Sequence, residues 1–455
     1  MIPLPDLLHH RPHAAADDQF LLELLEMAFL GSNESRGIDE EFGQIPLPDP
    51  TWNPDFFVKD LFLEDFLQHL SQLEIDGRNY PIHKAFVLRV LSQPPVDLET
   101  IHFRQAILRE LEADESILAR VTTLYTELVS LLDQLKSTYT QTLLDTTLLR
   151  LDTLRQFHNV VGYMVNEFIE AQSGLHLLHE VGIEIQASPE YETLDSLLDY
   201  EDNYSRLDLR IRVGADGRIR NLEIEDFTGN EGNRFYLAPW RRWLEMVRLR
   251  WQGTTFTQRE LVNRVIVDVY RRIAPAFSTL VQVLGHLEVY MVTRAFAADA
   301  RAAGLETCLA DIKPGTSIVL NDLFNPLLLQ TQGPPVPCAV MPESNEAVTV
   351  VTGPNSGGKT RLLQALGLAQ LLGQSGLYVP ASKARLPMSN SMFASLVHQD
   401  AADLQEGRLG TELLRIRTLF QGVEPGPMIL IDELCSGTNP SEAAEIISMV
   451  LRLLR

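Results

Sequence analysis

Residues 348–360, with the sequence VTVVTGPNSGGKT, constrain the fold of this chain more than any other stretch. A run of β-branched residues turns into a glycine-rich loop, and leucines at helical spacing follow from Leu362 onwards. In this strand–loop–helix context a G-x-x-x-x-G-K-[ST] motif indicates a phosphate-binding loop. The sequence therefore predicts an α/β domain with a nucleotide-phosphate site here.

The chemistry of a phosphate loop assigns a role to each part of the motif. Glycines let the backbone turn tightly, so that successive N–H groups point at phosphate oxygens, and the helix adds the partial positive charge of its N-terminus. Lys359 is expected to reach the β- and γ-phosphates, and the Thr360 hydroxyl to hold Mg²⁺. The predicted nucleotide-binding residues of the loop are Gly353, Pro354, Asn355, Ser356, Gly357, Gly358, Lys359 and Thr360.

A second motif lies 73 positions after Lys359, where four apolar residues (428–431) precede Asp432 and Glu433. An apolar strand that ends in Asp-Glu is a weak signal alone, and it gains its meaning from the phosphate loop upstream. Asp432 is predicted to orient Mg²⁺, and Glu433 to polarise an attacking water as the general base. Together the two motifs predict an ATPase with ATP and Mg²⁺ as cofactors.

Composition narrows the class of protein. Of the 455 residues, 45% are hydrophobic and 22% are charged, which is ordinary for a soluble globular chain with room for roughly three domains. No apolar run approaches the roughly 20 residues of a membrane span, and residues 1–6 do not resemble a signal peptide. Cys308, Cys338 and Cys435 lack C-x-x-C spacing, which favours a reducing compartment. We therefore expect a cytoplasmic protein that does not contact a membrane.

Charge limits the ways in which the chain could bind nucleic acid. The formal net charge of −23 opposes non-specific attraction over the whole surface, so DNA contact requires a local basic patch. Residues 1–84 form an acidic N-terminal segment, with 15 Asp and Glu against 3 Lys and Arg in its first 75 positions. A Pro-rich loop or tether is predicted over residues 31–53, and a helix over about 55–73.

From residue 85 to about 310 the pattern is helical, with one interruption. Pro94 and Pro95 predict the end of one helix, and Asp97 predicts the start of the next. Apolar stripes at three- and four-residue steps then indicate core-facing helices of a bundle. Two further helices are predicted over 261–273 and 277–303.

The interruption has the signature of a β-hairpin over residues 204–228, where two alternating segments flank a glycine-containing turn. Residues 206–250 carry ten Arg against seven Asp and Glu, which reverses the sign of the overall charge. From about residue 311 strands and helices alternate, with strands predicted over 318–320, 336–340 and 348–351. The chain is therefore expected to end in an α/β nucleotide-binding domain.

The two nucleotide motifs resemble those of the MutS family of DNA mismatch-repair ATPases. The loop 352–360 is similar to the phosphate loop of that family, as is the segment 374–381 (QSGLYVPA) that follows it. The segment 432–442 (DELCSGTNPSE) resembles its Asp-Glu and Gly-Thr stretch. The likeness is firm over about the last 130 residues and looser back to about residue 85.

Membership of this family implies a fold class: an α-helical core/lever bundle (85–310) with a small β-containing clamp insertion at about 200–250, followed by an α/β ABC-type P-loop ATPase domain (311–455). The resemblance further implies that Asn325 approaches the nucleotide base in place of a histidine, and that Gln399 lies at the nucleotide. Residues 407–411 fall where a trans-acting signature segment is expected, with a departure from the usual Gly-Arg-Ser-Thr. The implied partners are double-stranded DNA that is mismatched, branched or distorted, bound through residues 204–250 and the helical core, and a second copy of the chain bound through the ATPase domain.

Two differences from the family pattern shape the functional expectation. The part before residue 85 is too short for mismatch-recognition and connector domains, so branched or distorted duplex is a more plausible target than a single mispair. The chain ends 22 residues after Glu433, so we expect the ATPase domain to be truncated at its C-terminus.

Other readings remain open at this point. A nucleotide-switched scaffold for a protein or ribosome partner, similar to the recombination-suppressing MutS branch, fits the acidic charge. An SMC-like or transporter-type ABC ATPase fits less well, because those proteins place helical insertions between the two nucleotide motifs.

Overall fold

The computed structural model describes residues 6–11, 19–31, 42, 45, 47–48, 50–137, 143–204, 208–213, 219–226, 258–329, 333–342, 348–354, 356–396, 407–422, 426–435 and 439–453. The helices are α1 (Gln19–Leu30), α2 (Leu63–His69), α3 (Lys84–Leu91), α4 (Leu98–Ala113), α5 (Glu115–Ser137), α6 (Leu143–Glu167), α7 (His176–Gln186), α8 (Pro189–Tyr204), α9 (Gln258–Ala302), α10 (Lys359–Gln374), α11 (Gly407–Gly422) and α12 (Pro440–Leu453). The strands are β1 (Gln72–Ile75), β2 (Arg78–Pro81), β3 (Asp208–Val213), β4 (Ile219–Asp226), β5 (Cys308–Leu309), β6 (Asp311–Lys313), β7 (Val319–Leu323), β8 (Cys338–Val340), β9 (Tyr378–Val379), β10 (Lys383–Pro387), β11 (Met392–Ser395) and β12 (Met428–Ile431).

Helix boundaries in the first half of the chain follow from capping and proline. Asp97 starts α4, because its carboxylate accepts a hydrogen bond from the backbone N–H of Thr100 at 2.7 Å. Helix α3 ends at Leu91, ahead of Pro94 and Pro95, which cannot continue a helix. Both boundaries confirm the sequence-based prediction.

The helical bundle is centred on α5, α6 and α9, which pack against one another. The apolar stripe along residues 121–135 of α5 is buried, and Phe157 of α6 stacks on Phe277 of α9 with ring centroids 4.4 Å apart. Burial of such stripes is the main stabilising contribution to an amphipathic helix. The prediction that these stripes face a core is confirmed.

Helix α9 runs for 45 residues, where the sequence predicted two helices separated near Pro275. Pro275 lacks an N–H, so the carbonyl of Arg271 loses its intrahelical donor. Both residues lie on the exposed side of the helix, where the carbonyl remains accessible to solvent, and the helix continues. Despite the length of α9, no helix in the described part of the chain has the apolar character of a membrane span.

The predicted helix over 55–73 is wrong in extent. A 3-10 turn (Pro54–Phe56) is followed by α2, which starts only after Phe62 adopts the left-handed conformation with φ of +54°. Helix α2 then gives way to the hairpin β1–β2, whose turn at Asp76 and Gly77 is left-handed at both positions. The apolar spacing that predicted the helix comes instead from a turn, a short helix and a strand that share one buried face.

Part of the predicted tether lies in the core. Phe42, Ile45 and Trp52 are buried, and the ring of Phe42 stacks on His83 at a centroid distance of 3.6 Å. Large aromatic side chains bury much apolar area, so packing them in the core stabilises the fold more than leaving them in a solvated loop would. The prediction of a tether over 31–53 is therefore wrong at these positions.

Two buried clusters organise the molecule. The larger cluster joins the helices of the bundle and also takes in residues of α1 and of the 6–8 segment. The smaller one gathers Leu368 of α10 and Leu430 of β12 around Trp52, Phe57 and Leu61. The N-terminal segment thus contributes side chains to the core beside the phosphate loop as well as to the bundle.

The strands after residue 305 form several small sheets rather than one large sheet. A four-stranded sheet has the order β6-β10-β7-β8, β5 pairs with β9, and β11 runs parallel to β12. The earlier hairpin is confirmed, because β3 and β4 are antiparallel with Ile211 opposite Leu222. The rest of the predicted clamp, residues 227–257, lies outside the described residues.

The strand predicted over 348–351 is wrong, because residues 348–354 adopt no regular secondary structure. The side chains of Val348 and Val350 are 50% and 72% exposed. A β-branched run has the propensity for a strand, but a strand also needs a paired neighbour and a buried face. The residues that lead into the phosphate loop lack the buried face.

Candidate nucleotide-binding site

The phosphate loop passes directly into helix α10. Gly358 is the N-cap residue, with a φ of +84° that favours glycine, and among the residues that the structure describes no side chain caps this helix end. The first N–H groups of a helix have no partner within the helix, so those that follow Gly358 can bind an anion. This part of the loop is exposed to solvent.

The turn before α10 depends on close backbone approach. The N–H of Gly357 donates to the carbonyl of Pro354 at 3.1 Å, and a Cβ atom added at Gly357 would meet that carbonyl at 2.9 Å. Ser356 adopts a positive φ of +64°. The loop therefore has the tight curvature that the motif predicted.

Lys359 folds back over the loop. Its Nζ donates to the carbonyls of Gly353 at 3.2 Å and of Pro354 at 3.1 Å. These contacts place the ammonium group at the mouth of the loop, on its exposed side. A phosphate group held by the loop would lie next to this positive charge.

The two motifs meet at Thr360 and Asp432. The hydroxyl of Thr360 donates to Oδ2 of Asp432, across 72 positions of sequence. Asp432 follows β12, and its N–H donates to the carbonyl of Ser395 at the end of β11 at 2.9 Å. A hydroxyl and a carboxylate oxygen are the hard donors that Mg²⁺ prefers, so this pair fits the predicted metal.

The backbone after Asp432 is strained. Glu433 and Cys435 have φ values of +47° and +61°, and neither is glycine. Such residues cost on the order of 1–3 kcal/mol each and persist where the surroundings hold them. One contact that stabilises this conformation is a hydrogen bond from the N–H of Cys435 to Oε2 of Glu412 in α11 at 2.8 Å. Glu433 itself is exposed at the edge of the site.

Cys435 is packed rather than reactive. Its side chain is 2% exposed, and burial raises the pKa of the thiol, with a further contribution from the negative charge of Glu412. A thiol with a raised pKa remains protonated at neutral pH and is a poor nucleophile.

Asn325 contacts the first turns of α10. Its Nδ2 donates to the carbonyl of Arg361 at 2.9 Å, and its Oδ1 accepts from the N–H of Leu327 at 2.9 Å. The side chain is buried at 5% exposure. The amide thus joins the 3-10 turn at 326–328 to the phosphate-loop helix, and its predicted role at the nucleotide base stays a prediction.

Two predicted binding residues, Asn355 and Gln399, lie outside the described residues. The segment 407–411, expected to act in trans, forms the start of α11. Sequence reasoning missed Ser395 and Glu412, which hold the backbone on either side of Glu433. A serine at the end of a strand and a glutamate in a helix carry no local pattern that would have distinguished them.

A phosphate loop at a helix N-terminus, facing the Asp-Glu end of a parallel strand, places this part of the chain among P-loop nucleotide-binding domains. Residues 349–455 match the family model of MutS domain V. The C-terminal region of the chain therefore matches domain V of the MutS family, which is an ABC-type ATPase domain.

Curated relatives show the same relationship. A protein of Ligilactobacillus salivarius named Endonuclease MutS2 is 30% identical over 208 residues, which cover 45% of this chain and 25% of the relative. The Endonuclease MutS2 of Thermus thermophilus is 30% identical over 255 residues, 54% of this chain and 31% of the relative. That of Streptococcus pyogenes serotype M49 is 31% identical over 196 residues, 40% of this chain and 24% of the relative. The matches thus span only 24% to 31% of the length of these relatives.

Proposed function

We propose that this chain is a MutS-like ATPase that binds ATP with Mg²⁺ through residues 353–360 and Asp432, and that uses ATP to control a dimeric DNA-binding clamp. The observation that carries the proposal is the contact between Thr360 and Asp432 at the N-terminus of α10. It joins the phosphate-loop motif to the carboxylate motif in one place, which two unrelated surface features would not do.

The residues of the site divide the chemistry among them. The N–H groups at the start of α10 and the Lys359 ammonium bind the phosphate oxygens and neutralise their charge. Thr360 and Asp432 would hold Mg²⁺, which when bound draws negative charge from the β- and γ-phosphates. Glu433, exposed beside Asp432, accepts the proton of the attacking water as the general base.

The exposure of the loop supports a site completed by a second subunit. Residues 351–354 and 356–358 are exposed along their length. Hydrolysis is favoured when water other than the nucleophile is excluded, so a covering surface is required. In the proposed dimer the other copy supplies that surface.

The nucleotide site is tested by titrating a fluorescent ATP analogue into the full chain and into Lys359→Ala. Removal of the ammonium group should weaken binding by about 100-fold, because loss of one partner of a desolvated charge pair costs roughly 2–5 kcal/mol in binding. Arg361→Ala, two residues along the same helix, is the matched control and should bind as the parent does. Equal affinity of parent and Lys359→Ala would contradict the proposed site.

The DNA part of the proposal is supported by the family relationship and by the arginine-rich stretch 206–250. It is tested by fluorescence anisotropy with a homoduplex, a single-mispair duplex and a four-way junction, each with and without ATP at two salt concentrations. We expect preference for the junction, a response to ATP, and weaker binding at higher salt because Arg–phosphate contacts release counterions. Absence of binding to all three would remove DNA from the proposed function.

A further inference from the structure

A buried carboxylate from the N-terminal segment lies against the nucleotide-binding domain. Asp60 is 1% exposed and is more than 330 residues away in sequence from the groups it contacts. Its neighbours Phe57 and Leu61 belong to the same buried cluster as Leu368 of α10 and Leu430 of β12. The Asp60 carboxylate therefore reaches the nucleotide-binding domain from the N-terminal segment, which precedes helices α5, α6 and α9 of the bundle in sequence.

Asp60 contacts two elements at once. Its Oδ1 accepts the N–H of Leu396, just after β11, at 2.6 Å. Its Oδ2 accepts a hydrogen bond from Nη2 of Arg415 in α11. The same nitrogen of Arg415 donates to the carbonyl of Ala394 at 2.6 Å, and the guanidinium lies over the ring of Phe393 at 5.8 Å. The carboxylate thus fixes α11 against the end of β11.

Those two elements hold the backbone on both sides of Glu433. On one side, Ser395 of β11 accepts the N–H of Asp432 at 2.9 Å. On the other side, Glu412 of α11 accepts the N–H of Cys435 at 2.8 Å. Glu412 lies one helical turn before Arg415 on α11, so the position of one sets the position of the other.

The segment between these two anchors needs external support. Glu433 and Cys435 occupy the left-handed region without being glycine, a conformation that relaxes unless the surroundings determine it. If α11 shifted relative to β11, the two anchors would separate and the Glu433 carboxylate would change direction. Asp60 opposes this shift by binding Arg415 and the N–H of Leu396 together, and it adds to the direct contacts of Arg415 with Ala394 and Phe393.

A purely stabilising role explains less. A buried ion pair is weak evidence for stability, because desolvation offsets much of the attraction and apolar replacements are often neutral. What such a pair provides is a fixed geometry between the elements that it joins. Here those elements carry the anchors of a strained catalytic segment.

We propose that Asp60 is a positioning residue for the ATPase reaction: through Arg415 of α11 on one side and Leu396, just after β11, on the other, it holds the two backbone anchors of Glu433 in register. The inference rests on the proposed function of Glu433 as the general base. The N-terminal segment would then be required for turnover although it contributes nothing to the phosphate loop.

The test compares ATP turnover and nucleotide binding in Asp60→Asn and the parent, both as the full chain. The new amide nitrogen would face the guanidinium of Arg415, donor against donor, while the remaining oxygen keeps the bond from Leu396. We expect kcat to fall about 10-fold or more, with KM and the affinity for a non-hydrolysable ATP analogue unchanged within about twofold. Asp6→Asn is the matched control, since Asp6 is a buried N-terminal carboxylate that bonds to Leu8 and His9 rather than to α11.

Two further variants separate positioning from folding. Asp60→Asn with Arg415→Met leaves no unpaired guanidinium, so thermal stability should recover towards that of the parent while kcat stays low. Recovery of both thermal stability and kcat would overturn the proposal, because the Asp60–Arg415 ion pair would then have only a stabilising role. Arg415→Lys retains the positive charge beside Asp60 and serves as a second variant if Asp60→Asn proves unstable. It should lower kcat without changing nucleotide affinity, and an unchanged kcat in this variant would equally overturn the proposal.

The background of Glu433→Gln distinguishes this inference from the function on which it rests. If Asp60 acts through Glu433, adding Asp60→Asn to Glu433→Gln should not lower the residual turnover further, and an additive loss would contradict the proposal. If the parent does not hydrolyse ATP, or Glu433→Gln changes nothing, the proposed function fails together with the inference. If both behave as proposed and Asp60→Asn turns over normally, the inference alone fails.

Discussion

The helical bundle and the nucleotide-binding part of this molecule both have an apolar core, but the nucleotide site itself is held by contacts of a different kind. In the bundle, long helices share a continuous apolar core with stacked rings such as Phe29 on Tyr270, whose centroids are 3.8 Å apart. In the nucleotide-binding part, the loop residues are exposed, and single polar contacts such as Thr360 to Asp432 and Glu412 to Cys435 join the elements around the site.

The contrast separates stability from activity. Apolar burial contributes in proportion to area and tolerates small displacements, whereas a hydrogen bond depends on the position of two atoms. We therefore expect substitutions in the bundle to change the free energy of unfolding with little effect on chemistry. Substitutions around the site should do the reverse.

The largest expected effect is that of Glu433→Gln on turnover. Loss of a general base lowers the rate by about 10²- to 10⁴-fold, and the exposed position of Glu433 means that stability should hardly change. Steady-state ATP hydrolysis and a thermal melt measure the two quantities. Glu445→Gln, an exposed glutamate of α12, is the control for the change of charge. A large loss of stability in Glu433→Gln would contradict the expectation that substitutions at the site change activity and not stability.

The opposite pattern is expected for Phe277→Ala in the bundle. The ring is fully buried between Phe157 and Tyr270, so its removal leaves a cavity and should cost about 3–5 kcal/mol in urea denaturation. ATP hydrolysis per folded molecule should stay close to that of the parent. A fall in kcat as large as the one for Glu433→Gln would show that the bundle core sets the geometry of the site.

The same contrast explains which features could be predicted from sequence. Helix starts such as Asp97 and the buried stripe of α5 depend on neighbouring residues, and the sequence indicated both. The phosphate loop and the Asp-Glu strand end are likewise local motifs. The contacts that support these motifs are not local in sequence, since Asp60 and Arg415 are 355 positions apart. No pattern within either segment points to the other.

The errors have the same origin. The periodicity over 55–73 was real, but a left-handed Phe62 divided it into separate elements. The valines of 348–351 have strand propensity, but a strand forms only where a neighbour pairs with it. Pro275 predicted a break that the exposed face of α9 did not require. In each case the local preference was correct, and the outcome depended on the surroundings of the segment in the folded chain.

The junction between the two regions is tested by Gly376→Ala. Gly376 follows α10 in the left-handed conformation, with φ of +75°, and its N–H donates to the carbonyl of Gly373 at 3.0 Å. A Cβ atom there would meet the carbonyl of Ile101 in α4 at 2.9 Å, so strain and contact together should cost about 1–3 kcal/mol.

Urea denaturation and ATP binding should both respond to this change. Because the substitution acts at the junction, we expect lower stability together with a modest loss of nucleotide affinity. Gly162→Ala is the control, since it lies in α6 with open space around it and should be neutral or slightly stabilising. A Gly376→Ala protein as stable as the parent would show that the two regions can move apart without cost.

The smallest expected effect concerns the reactivity of the cysteines. It tests whether the polar contacts around the site keep the segment after Asp432, and with it Cys435, packed against its neighbours. Cys338 is exposed, whereas Cys435 is buried beside Glu433. Burial raises the pKa of the Cys435 thiol and the charge of Glu412 raises it further, so less thiolate is present at a given pH. Burial raises the pKa of the Cys338 thiol as well, so the difference between the two comes mainly from access, because the Cys435 side chain is only 2% exposed. Single-cysteine variants should therefore be alkylated at pH 8 about tenfold more slowly at Cys435 than at Cys338. The rate at Cys435 should rise as the pH moves above the ordinary range of a thiol. Equal alkylation rates at the two cysteines would mean that the segment after Asp432 opens locally often enough to expose Cys435. The single hydrogen bonds around the site would then hold this segment less firmly than the apolar core holds the bundle.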